Sequence, residues 1–285
     1  MPSYRPILIA CRGIAGTEPS CPAPSSILFK LGTLETGGGA WRVLAIGSDD
    51  DVAAHPAAES AEQLVLPDHV LTPAFVNAHT HLDLTHMGPQ HFDPATSTFA
   101  DWVNTIRNGR RVDPHDIAQS VNEGVTKSLE GGVIAVGDIA GVASCAPLDA
   151  LRDSPLHGVS FIEYFGLGER QNESIEQMRT LLARTPGNRN NVTRALHPHA
   201  PYSAGPRLFQ SAAEFSRERG LPICAHLAET PGEIQFVRAG TGPIAEFLES
   251  LGLLDDDALA DVGRGLHPIE HVEHALRTAP FLLAH

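Results

Sequence analysis

The spacing of hydrophobic and polar residues changes near residue 70. Before that point, short apolar runs bounded by turn residues predict β-strands. These strands are expected at residues 7–10, 26–31, 41–46 and 63–66. Three glycines at residues 37–39 predict a turn between the second and third strands, and residues 49–62 predict a loop or a short helix. The pattern therefore predicts a small N-terminal β-sandwich module at residues 1–69, in which no chemistry is visible.

From residue 70 onward, apolar strand-like runs alternate with amphipathic helical segments, which is typical of a βα-repeat fold. The strands are expected at residues 70–76, 132–139, 158–165, 192–197, 221–227 and 281–285. The helices are expected at residues 99–107, 114–129, 174–184, 206–219 and 243–251. A closed (β/α)8 barrel needs about 250 residues and eight strands. Residues 70–285 therefore predict an α/β fold, an incomplete TIM-type barrel of about six βα units that is truncated after strand six.

The composition narrows the classes of partner. The chain has 20 lysines and arginines against 34 aspartates and glutamates, a formal net charge of -14, which argues against nucleic acid or an anionic membrane. No stretch resembles a signal peptide or a transmembrane helix. The four cysteines, Cys11, Cys21, Cys145 and Cys224, are widely spaced and form no Cys-x-x-Cys pair, so a reduced cytoplasmic setting is the default. We expect a small-molecule substrate and leave a homo-oligomer open.

A His-x-His pair, His79 and His81, follows the apolar run at residues 70–76. Residues two apart on a strand point to the same face, so both imidazoles can aim at one metal ion. The pair alone is weak support, because the chain has 15 histidines. Its position at the end of a predicted buried strand favours a metal site.

Further histidines follow other predicted strands: His197 and His199 after strand four, His226 after strand five and His285 after strand six. Barrel enzymes keep their reactive groups at these strand ends. A single histidine there is more often a hydrogen-bonded structural residue than a ligand. Histidines on strands one, five and six together are what one metal ion in a barrel mouth requires, with the ring nitrogens about 3–4 Å apart.

Four stretches resemble motifs of the amidohydrolase superfamily: PAFVNAHTHL at residues 73–82, HAPYS at 199–203, HLAET at 226–230, and Ala284-His285. The branch they resemble contains cytosine, guanine and S-adenosylhomocysteine deaminases and triazine chlorohydrolases. The resemblance implies that metal ligands are His79, His81 and His226. It also implies that His199 contacts the substrate, that Glu229 shuttles protons and that His285 holds the water or the substrate.

The resemblance is incomplete at the chain end. The family's remaining ligand is an aspartate after strand eight, and the sequence stops before that strand. Other branches bridge two metals with a lysine on strand four. The only lysines here are Lys30 and Lys127, and neither lies on strand four. One divalent metal is therefore expected, with Zn²⁺ preferred and Fe²⁺ as the alternative.

Other polar residues are expected to be structural. The cluster of histidines and glutamates at residues 270–274 is expected in a solvated helix or loop. Asp138 and Glu163 are expected to be buried, hydrogen-bonded carboxylates.

The sequence as a whole predicts a metal-dependent hydrolase that acts on carbon–nitrogen bonds other than peptide bonds. The expected reaction is deamination of a nitrogen heterocycle by a metal-activated water. Two alternatives stay open. The first is an amide hydrolase or chlorohydrolase on the same scaffold, and the second is an inactive truncated remnant that lacks the aspartate ligand.

Overall fold

The computed structural model describes residues 5–16, 24–33, 39–93, 97–184 and 191–285. Cys21 and the predicted turn at Gly37 and Gly38 lie outside the described residues. The chain packs as two compact units, Met1–Ala74 and Phe75–His285. The assignment of separate domains at residues 1–69 and 70–285 stays a prediction.

The first unit contains one four-stranded sheet, in the order β3-β2-β1-β4. Its elements are β1 (Ile7–Ile14), β2 (Ser25–Thr33), β3 (Gly39–Ser48), α1 (Asp49–Ala53), a 3₁₀ turn (Pro56–Ala58) and β4 (Glu62–Leu71). β2 pairs antiparallel with β1 and β3, whereas β4 pairs parallel with β1. The apolar side chains of Leu8, Leu28 and Val52 form a small core. The expected N-terminal β module is thus a small sheet, and its strands are longer than the sequence predicted.

The second unit is a parallel six-stranded sheet in which the strands neighbour one another in chain order. Its first half contains β5 (Phe75–Thr80), a 3₁₀ turn (Leu82–Met87), α2 (Phe99–Gly109), α3 (Pro114–Glu130), β6 (Val133–Val142), α4 (Ala146–Arg152), β7 (His157–Tyr164) and α5 (Arg170–Arg184). Its second half contains β8 (Val192–Pro198), α6 (Pro206–Arg219), β9 (Ile223–His226), α7 (Pro231–Ala239), α8 (Pro243–Ser250), α9 (Asp256–Asp261), α10 (Pro268–His271), α11 (Glu273–Thr278) and β10 (Phe281–Ala284). Parallel neighbours need crossover connections, which these helices supply. The α/β fold of an incomplete barrel with about six βα units is confirmed.

One face of this sheet forms an apolar layer inside the curved sheet. Ile139, Phe161, Ala195 and Cys224 come from four successive strands and pack against one another. Because side chains on a strand alternate with a period of two, residues two positions further along point to the same face. Those positions are Glu163, His197 and His226 on β7, β8 and β9. The strand geometry therefore places polar groups directly above the apolar layer, at the carboxyl ends of the strands.

The prediction that residues 70–76 form one buried strand is wrong. β4 ends at Leu71 and β5 begins at Phe75, with Pro73, which has no backbone N–H to donate, between them. Val70, Phe75 and Val76 are 55%, 59% and 67% exposed. β5 ends the sheet order, so among the described residues only β6 pairs with it. An edge strand lacks the neighbours that would bury its apolar side chains.

A close approach of β6 to β5 fixes the segment that carries His79 and His81. A Cβ atom on Gly137 would lie 2.3 Å from the carbonyl oxygen of Ala78, so only glycine fits at this position. One residue further along β6, Asp138 Oδ1 accepts a hydrogen bond of 2.9 Å from the backbone N–H of Leu82. The chain is thus held against β6 both before and after the two histidines.

Among the helices in the described part of the chain, none is both long enough and apolar enough to cross a membrane.

Candidate metal centre

His79 lies near the end of β5, and His81 follows directly after the strand. Their ring centroids are 5.2 Å apart. His226, the last residue of β9, is 147 positions further along the chain than His79. The structure brings these three histidines together, and one ring nitrogen from each lies within 4.8 Å of the others.

The spacing of the imidazoles fits a single tetrahedral metal ion. His79 Nε2 and His226 Nε2 are 3.3 Å apart. Two nitrogens that each lie 2.0–2.1 Å from a tetrahedral Zn²⁺ are separated by about 3.3 Å. One ring nitrogen of His81 also lies within 4.8 Å of nitrogens of the other two rings, so all three imidazoles can reach one ion.

The electrostatics of the cluster favour neutral imidazoles, the form that binds metal. Burial lowers the pKa of His81 to about 4 and also lowers the pKa values of His79 and His226. The mutual repulsion of the rings acts in the same direction, because one protonated imidazole disfavours a second. The three nitrogens are therefore available as electron-pair donors at neutral pH.

His197 contacts the ring nitrogen of His226 that does not face His79. The Nε2 atom of His197 lies 3.2 Å from Nδ1 of His226, and His197 is fully buried. Burial lowers the pKa of His197 to about 3, so its ring is neutral and one nitrogen accepts a hydrogen bond. With Nδ1 of His226 donating to His197, Nε2 of His226 keeps its lone pair for a metal ion.

Glu229 and His285 lie beside the histidine cluster. Glu229 Oε1 is 3.7 Å from His285 Nε2, and their side chains are 20% and 42% exposed. The ring centroids of His285 and His226 are 5.3 Å apart. Burial raises the pKa of Glu229 to about 7, so this carboxyl can take up and release a proton near neutral pH.

His199 also lies close to His226, with ring centroids 4.9 Å apart. Its Nδ1 atom is 2.6 Å from the hydroxyl oxygen of Ser203, and its ring stacks on Phe165 at a centroid distance of 4.5 Å. The Nε2 atom lies 3.8 Å from Glu163 Oε1. These contacts fix the orientation of the His199 ring, with Nε2 on the side of Glu163.

A buried ion pair lies beneath these histidines. Arg110 Nη1 donates to Glu163 Oε2 at 2.7 Å, and Arg110 Nε lies 3.8 Å from Asp83 Oδ2. Burial would raise the pKa of Glu163, but the guanidinium of Arg110 and the neighbouring imidazoles together outweigh it and hold the pKa below its ordinary value. Burial raises the pKa of Asp83 to about 6 and that of Asp138 well above its ordinary value. The pair places one fixed negative charge, on Glu163, beside His197 and His199.

The sequence anticipated Asp138 and Glu163 as buried carboxylates, which the structure confirms. It missed the ion pair of Arg110, because nothing in the sequence around an arginine that follows α2 indicates a contact with Glu163 on β7. It also missed the buried Glu233, whose only signal is the Thr-x-x-Glu spacing of a helix start at residues 230–233. The expectation of a solvated cluster at residues 270–274 is wrong for His271, which is only 9% exposed because α10 packs it inward.

The fold and these residues define a class of protein, a parallel αβ barrel with histidines converging at the carboxyl ends of its strands. The sequence model of the amidohydrolase family matches residues 70–279. The chain belongs to the amidohydrolase family.

Particular relatives are deaminases. The chain is 28% identical over 213 residues to an aminodeoxyfutalosine deaminase of Deinococcus radiodurans, covering 72% of this chain and 48% of the relative. It is 27% identical over 195 residues to a 5-methylthioadenosine/S-adenosylhomocysteine deaminase of Aquifex aeolicus, covering 66% and 44%. The chain thus spans about half the length of the curated relatives it matches.

The fold is shared with solved structures. The atrazine chlorohydrolase TrzN of Arthrobacter aurescens, crystallised with zinc, superposes with a TM-score of 0.63 at 18% identity. The match covers 98% of this chain and 60% of that one. At this identity the likeness shows the fold.

Proposed function

We propose that this protein is a metal-dependent hydrolase that removes an amino group from a purine-like or other nitrogen heterocycle. The observation that carries the proposal is the convergence of His79, His81 and His226 beside a carboxyl group, Glu229, whose pKa is about 7. The deaminase relatives support the reaction type, since the names of both refer to amino-bearing nucleosides or related compounds.

The three histidines are the proposed ligands, and their nitrogen donors suit Zn²⁺, with Fe²⁺ as the alternative. The nitrogen spacing of 3.3 Å between His79 and His226 and the neutral state of the rings support this assignment. When bound, the metal would supply a water whose pKa is lowered to about 7.

Glu229 is the proposed proton shuttle. Its carboxylate takes a proton from the attacking water, a carbon–oxygen bond forms and the carbon–nitrogen bond then breaks. The same carboxyl delivers the proton to the departing nitrogen, which leaves as ammonia. A pKa of about 7 suits both halves of this cycle, because the group is neither too weak a base nor too weak an acid at neutral pH.

His199 and His285 are the proposed contacts to the reacting ring. The negative charge of Glu163 lies 3.8 Å from His199 Nε2 and favours a proton on that nitrogen, so His199 donates a hydrogen bond to a ring nitrogen of the substrate. His285, 3.7 Å from Glu229, is placed to hydrogen-bond the attacking oxygen.

The test is to strip the protein of metal, reload it with zinc and measure ammonia release from a panel of aminopurine nucleosides. We expect turnover that depends on zinc and that falls by at least ~10²-fold in Glu229→Gln. The control variant Glu123→Gln changes an exposed glutamate on α3 and should retain full activity. If the zinc-loaded protein binds one equivalent of metal but releases no ammonia from any compound of the panel, the deaminase assignment is wrong.

A further inference from the structure

Glu233 is a buried carboxylate without an assigned role. It lies in the first turn of α7 with no exposed surface. In the described part of the chain no lysine or arginine forms an ion pair with it. Burying a carboxylate is costly unless hydrogen bonds compensate it, so its partners indicate what it does.

Those partners depart from an ordinary helix cap. In a capping box, the residue at the N-cap accepts a hydrogen bond from the N–H of the third helical residue, whose carboxylate returns one to the N-cap N–H. Thr230 makes its half of this arrangement, with Oγ1 accepting from the N–H of Glu233 at 3.1 Å. The carboxylate of Glu233 instead accepts from Ala228 N at 3.1 Å and Glu229 N at 2.7 Å, two residues and one residue before the cap.

The segment held by these bonds has an unusual backbone. Ala228 has a φ of 59°, in the left-handed region that residues with a Cβ atom rarely adopt. The turn follows directly after His226 and Leu227, and it directs the chain so that Glu229 lies beside His285. Such a conformation persists where the surroundings hold it in place, and the two bonds to Glu233 do so.

We propose that Glu233 is a positioning residue, which fixes the left-handed turn at Ala228 and thereby aims the carboxyl group of Glu229 at the histidine cluster. The inference rests on the proposed function of Glu229 as the proton shuttle. It adds how Glu229 is kept in place, through the hydrogen bonds that backbone N–H groups donate to Glu233.

The first arm of the test does not depend on turnover. Glu233→Gln preserves size but leaves one acceptor oxygen, and the amide NH₂ then faces a backbone N–H. Hydrogen exchange measured by mass spectrometry should show faster exchange in the peptide spanning residues 227–230, with the rest of the protein unchanged. Unchanged exchange in that peptide would overturn the proposal.

The second arm is a double-mutant cycle with Glu229→Gln. Glu233→Gln should lower kcat by about 10- to 100-fold, the scale of a misplaced catalytic group, with KM and bound metal unchanged. In the Glu229→Gln background the same substitution should cost nothing further, because the group it positions is gone. An equal loss in both backgrounds would show that Glu233 acts by another route.

Asp101→Asn is the matched control, because Asp101 is an exposed capping-box carboxylate that makes the ordinary bond to the N-cap, Thr98. It should alter exchange only in the first turn of α2. If Glu233→Gln does not fold, Glu233→Asp, which keeps the charge but has a shorter reach, replaces it in both arms. Wild-type protein without any turnover would refute the deaminase assignment, while the exchange arm would still decide whether Glu233 holds the turn.

Discussion

The raised pKa of Glu229 has a measurable consequence for stability, and Glu229→Gln tests it. The pKa rises from 4.5 to about 7 because burial penalises the carboxylate. At about 1.4 kcal/mol per pH unit, the ionised carboxylate destabilises the folded protein by about 3 kcal/mol. The side chain is only 20% exposed, so solvent screens little of this cost.

Proton linkage sets the direction in which stability changes with pH. The folded state binds a proton at Glu229 more tightly than the unfolded state, so stability is greatest below pH 4.5 and is lost as the pH rises to about 7. Glutamine resembles the neutral acid at every pH. The variant should therefore exceed the wild type in free energy of unfolding by about 1 kcal/mol at pH 5 and about 3 kcal/mol at pH 8.

The assay is urea unfolding of the metal-free protein at both pH values, followed by tryptophan fluorescence. The chain has two tryptophans, so a Trp41→Phe background leaves Trp102 on α2 as the reporter of the unit that contains the site. The matched control is Glu123→Gln, an exposed change that should give a small difference independent of pH. A Glu229→Gln variant that is no more stable than the wild type at pH 8 would refute the reasoning.

The remaining predictions concern turnover and metal. Glu229→Gln should retain its metal, measured by elemental analysis, yet lose at least ~10²-fold in kcat. In the wild type, kcat/KM should fall about tenfold per pH unit below about pH 7, as the carboxylate becomes protonated; a flat profile between pH 5 and 8 would contradict this. His226→Ala should weaken zinc binding in a calorimetric titration, whereas His115→Ala, an exposed change on α3, should not. Gly137→Ala should also weaken zinc binding although it removes no ligand, because the new Cβ would lie 2.3 Å from the oxygen of Ala78 and displace β5; unchanged affinity would show that β5 adjusts freely.

Much of the fold could be predicted because it depends on local patterns. Pro206 and Gly220 bracket α6, which begins and ends where the sequence predicts it. The parallel strands have short apolar runs and the larger helices have a 3.6-residue period, and both patterns are visible in a few neighbouring residues. Short helices such as α4 and α9 have too few turns for a period to emerge, so the sequence did not predict them.

The sequence by itself determined the chemical groups and their order along the chain. It showed that imidazoles follow strands one, five and six, and that a glutamate lies three residues after the second of these positions. Family resemblance added roles to His199, Glu229 and His285, which stay proposals. These inferences needed only residue identity and distance along the chain.

Only the tertiary structure decided which of these side chains contact one another and how deeply they are buried. The 3.3 Å between His79 and His226 spans 147 residues and depends on strand order and register across the sheet. The ion pair of Arg110 with Glu163 and the pKa of Glu229 depend on burial, to which residues far apart in the chain contribute. The reason is physical: hydrogen-bonded periodicity is a property of neighbouring residues, whereas convergence and desolvation arise only when distant segments pack together.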